Sequence, residues 1–453
     1  MRRSVRGAVT SLIAAAVVVA VPSPAFAHGI GGRADLPVPL GYFLVGAGVV
    51  LVVSFIALAV LWKMPRLQDG PRSEAMSVQV DGLPATVLSV AGVFFLFLVI
   101  GAGLFGVQNG TRNVAPATVW VVFWLVVPFL GALVGNIYTP LNPWRTLSGW
   151  LLPDQEDRQG ILERWGVYPA GVAFFGFTWL ELVWPDSGQP RTLAAAALLY
   201  TFYVLLLAGW GGRDAGLQSG ELFTTYNRLI SSVSPFGRDR DGRLVRRGWL
   251  RALPVLPAWR GLTFFVVLMI GTVSYDGLSG TSWWRELLGS MAGELWAETL
   301  GMLTIIAVIG GAYAAASWGA VALTGGGGRS TGEIAASFAH TLVPIALAYA
   351  FAHYFTLVLF EGQLFISTLS DPFGRGWNLF GTADREVSYF LAPEVIWYVQ
   401  VAAILFGHIA GVVLAHDRAL AVFPEKTAVR SQYAMLVLMV LLTSLGLTIL
   451  AAG

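Results

Sequence analysis

PLGYFLVGAGVVLVVSFIALAVLW, residues 39–62, runs for 24 residues without a charge. The hydrocarbon core of a bilayer is roughly 30 Å thick and takes about 20 apolar residues to cross as a helix. Only a helix or a closed barrel satisfies every backbone polar group there. The stretch therefore reads as a membrane-spanning helix, and the chain repeats it. Runs of similar character fall at 83–106, 116–136, 164–184, 191–211, 261–275, 298–324, 333–360, 394–415 and 432–452. The sequence predicts an all-α fold: a polytopic membrane helical bundle of about ten transmembrane helices, forming a single domain over residues 28–453.

Composition agrees. Hydrophobic residues make up 56% of the 453 and charged residues 12%, about half the usual share in a soluble domain. The mean hydropathy is +0.69. The 17 Trp and 13 Tyr suit interfacial anchoring, and the 53 Gly suit close helix packing. With no cysteine, disulfides, iron–sulfur clusters, thiolate metal sites and cysteine nucleophiles are excluded, so a metal would need His, carboxylate or backbone ligands. The net charge of +2 says little about partners beyond the lipid bilayer. Neither nucleic acid nor nucleotide is expected.

The N-terminus reads as an export signal. Three arginines in MRRSVRG precede an apolar segment from Ala8 to Val21, and Ala25-Phe26-Ala27 satisfies the small-x-small rule for cleavage. Residues 1–27 would be removed, leaving His28 first and outside. From that start the inner loops hold 19 Lys and Arg, whereas the outer segments hold six: Arg33, Arg112, Arg191, Arg285, Arg375 and Arg385. This positive-inside bias places the chain in the plasma membrane with both mature termini extracytoplasmic.

Several connections have local signatures. In TPLNPWRTLSGWL, Asn142 caps Pro143 at a first helical position, and Leu141, Trp144, Leu147 and Leu151 follow at helical spacing, predicting a short surface helix. GRDRDGRLVRR carries the hairpin signal Asp241-Gly242 between two basic arms. TGGGGRSTGE fails as a phosphate loop, since Leu323 and Arg329 replace the required Gly and Lys, and Ser330 with Glu333 instead forms a capping box. TSWWRELLGSMAGELWAE reads as one interfacial helix with Glu286, Glu294 and Glu298 along a solvated stripe. Residues 361–393 form a connection long enough for a lid or binding loop.

The five histidines are His28, His340, His353, His408 and His416, and the last four lie in or at the ends of the eighth and ninth spans. Ionisable groups inside a span are costly, so they point to function. The plain alternative is that each imidazole bonds a neighbouring helix. His340 and His408 lie equally deep, roughly 10 Å from the inner surface, and are expected to form an intramembrane polar pair. His353 lies beyond Pro344, roughly 10 Å below the outer surface. At that level His28, Glu181 and Glu361, with Tyr354 near, are candidate metal-site partners of His353. Imidazole with carboxylate suits zinc, and the free amine of His28 would suit copper. Haem is not expected, because the 13-residue histidine spacing used by paired haems occurs only once.

The segments HGIGGRADLPVPL (28–40), LNPWRTL (141–147), TVSYDGLSGT (272–281) and AHTLVPIALAYAFAHYF (339–355) resemble a family of multi-pass membrane proteins that carries the name fenitrothion hydrolase. That resemblance implies hydrolysis of an organophosphorus triester, a hydrophobic substrate, in the membrane. It brings no catalytic residues with it. A metal at His353 would supply the hydroxide. The competing readings are a small-molecule or ion transporter, whose ten spans divide as five plus five, and a copper-handling membrane protein built on His28.

Overall fold

The computed structural model describes residues 38–69, 74–75, 83–152, 162, 164–238, 244–257 and 259–452. The expected signal peptide, its cleavage site and His28 lie outside the described residues. In chain order the principal helices are α1 (Leu40–Leu61), α2 (Leu83–Phe105), α3 (Pro143–Leu151), α4 (Tyr168–Leu182), α5 (Pro190–Gly211), α6 (Arg213–Gly220), α7 (Leu222–Ser231), α8 (Leu262–Ser279), α9 (Leu295–Thr324), α10 (Val343–Thr356), α11 (Pro393–Val422) and α12 (Tyr433–Ala452). Among the described residues, nine helices are long and apolar enough to cross a membrane, so the chain is an all-α polytopic membrane protein. Its described strands form one small antiparallel sheet. β1 (Glu74–Ala75) and β2 (Phe236–Arg238) flank β3 (Leu244–Arg246), and the last two are the arms of the expected hairpin, whose turn lies outside the described residues.

The fourth expected span, residues 164–184, is shorter in the structure than in the sequence reading. Gly166 takes a φ of +56°, and Pro169 sits in the first turn, so α4 starts only at Tyr168 and has 15 residues. It is about 22 Å long, short of the roughly 30 Å core. Two connections also differ from expectation. Residues 282–298 are not one helix: Gly289 (φ +55°) and Gly293 (φ +84°) break it, and Glu298 leaves the acidic stripe to accept hydrogen bonds from Tyr275, Trp284 and the Gly293 amide. The connection after residue 361 begins with the helix Gly362–Ser370, which leaves 371–392 as the irregular part. By contrast, Asn142 accepts from the Trp144 and Arg145 amides at the start of α3, and Ser330 and Glu333 form the capping box.

By their contacts the described residues fall into two compact units, the first drawn from residues 1–69, 266–353 and 391–453 and the second from residues 70–265 and 354–390. In the first, α1 packs on α11 and α12, and α9 on α12. Pro344 has no amide hydrogen to offer its own ladder, and the turn Ala339–Leu342 tightens into 3-10 geometry ahead of α10. α11 approaches that segment closely because Gly407 and Gly411 leave room: a Cβ on Gly407 would lie 2.2 Å from the Ala348 Cβ. Small residues of this kind set helix spacing in lipid, where apolar surface gains nothing by association.

One end of this unit is held by a buried aspartate. Asp417, fully buried on α11, accepts from Trp62 Nε1, the Arg66 and Leu67 amides and Gln68 Nε2, thereby ordering the chain that leaves α1. Beside it His416 bonds the Trp62 carbonyl at 2.9 Å and Gln432 at 3.1 Å.

In the second unit α2 packs on α5, and α6 and α7 pack on α4. Ten residues, Ala117–Val126, form a π-helix that packs against a second π segment, Leu357–Glu361. Runs of this kind are rare and gather at functional sites.

Candidate functional site: an aromatic cavity beside a buried carboxylate

The break between α6 and α7 is where the second unit concentrates its polar chemistry. Glu221 sits in the break, fully buried, as the N-cap of α7. Its carboxylate accepts from the Phe223 amide at 3.0 Å and the Thr224 amide at 2.7 Å, and also from the Thr224 hydroxyl. Three donors arrive from distant sequence: Tyr200 Oη at 2.7 Å, Tyr138 Oη at 3.2 Å and Asn142 Nδ2 at 3.1 Å. The Tyr200 hydroxyl also accepts from the Leu222 amide, so its own proton is directed at Glu221. Asn142 itself caps α3. Two helix N-termini thus meet through the side chains that cap them, a favourable place for negative charge.

Burial pushes the Glu221 carboxyl above its ordinary value of 4.5, and the hydrogen bonds from Thr224, Tyr200 and the Phe223 amide pull back toward the charged form. The Tyr138 phenol is held well above its ordinary value, first by burial and then by the Glu221 charge.

The cap aims the residue two positions on into a cavity. Phe223 packs against Phe123 at 4.5 Å, Phe177 at 5.1 Å and Tyr200 at 5.6 Å between ring centroids, and it lies parallel to Trp144 at 5.9 Å. These rings belong to the wall of a cavity of about 1100 Å³. α4 and α5 form two of its sides, and the π-helix residues Thr118 to Phe123 and α2 supply much of the rest. Its volume matches a small-molecule site at the upper end of the usual range.

The chemistry of the wall is decided by where its polar atoms go. Trp120 Nε1 donates to the Ser187 carbonyl, Trp144 Nε1 to Thr201 Oγ1, and Thr118 Oγ1 to the Val114 carbonyl. Tyr203 Oη bonds the Pro169 and Gly220 carbonyls, and Tyr200 is held by Glu221. These five groups are consumed within the protein. Arg164 is the one charged residue among the described residues that line the cavity; no histidine or carboxylate is on the wall. Such a surface recognises a guest by apolar contact and ring stacking.

Of the expected metal-site residues, His28 lies outside the described residues and the others belong to different units. His353, half-buried in the first unit, pairs through Nε2 with Asp276 Oδ2 of α8 at 2.8 Å. Glu181 and Glu361 belong to the second unit, where Glu181 adds, after burial, to raising the Tyr226 phenol above its ordinary range. Among the described residues no group of three His, Cys, Asp or Glu stands ready to hold a metal. The polar pair is corrected as well. His408 Nδ1 bonds the Ile404 carbonyl one turn back on its own helix at 2.8 Å, and His340 bonds the backbone at Ser337. Each imidazole thus serves its own helix, and their Nε2 atoms are buried without a partner.

Sequence reasoning missed Glu221 and Asp276. Glu221 had a faint signal: LFTTYNRLI after it keeps apolar residues at 222, 223, 226, 229 and 230, an amphipathic helix needing a cap. Asp276 directly follows the expected sixth span. Comparison of the chain with family models, with curated proteins and with solved structures finds no match.

Proposed function

We propose that the protein is a membrane-embedded binding protein of the transporter class, and that the cavity of its second unit takes an uncharged hydrophobic small molecule. One observation carries the reading: a cavity of about 1100 Å³ walled largely by aromatic rings, with the polar atoms of Trp120, Trp144, Tyr200 and Tyr203 already spent within the protein. Among the described residues no histidine or carboxylate lines that wall, which favours holding a molecule over transforming it. Support for transport comes from the helix interrupted at a buried carboxylate, an arrangement used by carriers whose broken helices adjust around a guest.

Gly176 provides the test. It lines the cavity on α4, and a Cβ there meets nothing within 4 Å, so Gly176→Trp projects into empty space without displacing backbone. In nanodiscs, energy transfer from the wall tryptophans to the neutral probe N-phenyl-1-naphthylamine should be saturable with the native protein. In Gly176→Trp it should weaken at least about tenfold while the melting temperature holds. Native protein that behaves like empty nanodiscs, or a variant that binds as well as native, overturns the proposal.

A second reading has its own observation. The His353–Asp276 pair, with side chains 22% and 21% exposed, is a proton acceptor of the kind that activates water, which is what hydrolysis of an organophosphorus triester would need.

A further inference from the structure

α4 and α5 are consecutive and joined only by residues 183–189, yet they barely touch. α4 packs on α6 and α7, and α5 on α2 and α6. The cavity fills the space between them. One end of this slit is tied by Tyr203 of α5, which reaches the Pro169 carbonyl of α4 at 3.1 Å. Near the other end Trp120 holds the Ser187 carbonyl of the connection at 3.0 Å. Between the ties the lining is open to the outside: Val172 on α4 is 64% exposed and Leu199 on α5 is 70% exposed, and both face the cavity.

A mouth rimmed by valine and leucine on apolar helices meets acyl chains. An aqueous mouth would carry polar or charged groups. The polar lining residues cluster instead at the Pro169 end, where Arg164, Trp165 and Tyr168 are exposed, the composition of a membrane–water interface.

We infer that the cavity is loaded sideways, from the lipid phase, through the slit between α4 and α5, and that its ligand is an uncharged, hydrocarbon-rich molecule dissolved in the bilayer. This rests on the cavity being the binding site. The lining of α4 runs from Tyr168 to Leu180, so an elongated guest of up to about 18 Å fits along it. Ordinary water-soluble metabolites are disfavoured by the same features, because away from the Arg164 end the described wall offers little to replace their hydration.

The chain has no cysteine, so Val172→Cys and Leu199→Cys each introduce a single thiol for a nitroxide label. In nanodiscs both labels should collide with oxygen, which concentrates in lipid, several-fold more than with a water-soluble nickel chelate. Separately, the double variant Val172→Trp, Leu199→Trp should slow the uptake of N-phenyl-1-naphthylamine from lipid at least about fivefold, since it narrows the slit at two exposed positions. Preferential collision with nickel at both sites, or uptake by the double variant at the native rate, overturns the sideways route while leaving the cavity reading intact. Native protein without saturable probe binding overturns both.

Discussion

Removing the Glu221 side chain should cost more than any other single truncation in the second unit. In Glu221→Ala the Phe223 and Thr224 amides, the Thr224 hydroxyl and both tyrosine hydroxyls lose the fully buried carboxylate that accepts from them; only Asn142 Nδ2 keeps an alternative acceptor, Thr224 Oγ1. A lost N-cap alone costs about 1 kcal/mol, and removing one partner of a buried charged network about 3–5 kcal/mol. The larger figure should apply, because α3 and α7 lose their shared anchor together. Glu221→Gln should cost less, about 1–3 kcal/mol: its amide nitrogen must face either two donors or four, and the side with Phe223 and Tyr200 is the cheaper choice. Unfolding followed by tryptophan fluorescence in mixed micelles measures both. A cycle with Tyr200→Phe should show coupling of about 1–3 kcal/mol. Burial raises the carboxyl above 4.5, so its proton favours the folded state. That stabilisation is complete below pH 4.5 and is lost as pH rises through the folded value, so native stability should fall relative to Glu221→Gln over that window. A cost below about 1 kcal/mol for Glu221→Ala, or stability that rises relative to Glu221→Gln over the same window, would refute the account.

Two further outcomes follow from the first unit. Asp417→Ala removes the buried acceptor of four donors at the exit of α1, of which only Leu67 is itself a buried residue, and should lower stability by about 1–3 kcal/mol, with Asp417→Asn intermediate, as read by thermal unfolding in detergent. Under the hydrolytic reading, His353→Gln and Asp276→Asn should each abolish release of the phenol from a neutral organophosphorus triester while probe binding in the cavity stays at the native level; turnover unchanged in both variants sinks that reading.

The spans were legible because hydropathy over 20 residues is a strong, local signal, and so were the Asn142 and Ser330 caps, which depend on residues two or three positions away. α4 was misjudged for a local reason that hydropathy does not register: a left-handed glycine and a proline delay its start. The depth of His340 and His408 could be read from residue counts, but their direction around the helix depends on packing partners, and the structure turns each ring to its own backbone. The burial of Glu221, unlike its faint capping signal, was illegible for a different reason. In QSGELFTTYN it looks like any solvated glutamate, and the groups that bury it, Tyr138 and Asn142, lie 83 and 79 residues earlier. Long-range satisfaction of a charge leaves no periodic trace.

The Asp417 anchor sets an order of events during synthesis. Trp62 and Asp417 are separated by 355 residues, and the helices against which α1 packs, α11 and α12, are the last two made. At about 5–20 residues per second, some 20–70 s pass between the emergence of α1 and the arrival of its partners. An uncharged helix with its backbone satisfied can wait in lipid for that time. The chain from Trp62 to Gln68 cannot complete its hydrogen bonds until the end, so the first unit closes last, and a nascent chain halted before Pro393 leaves its first helix unclaimed.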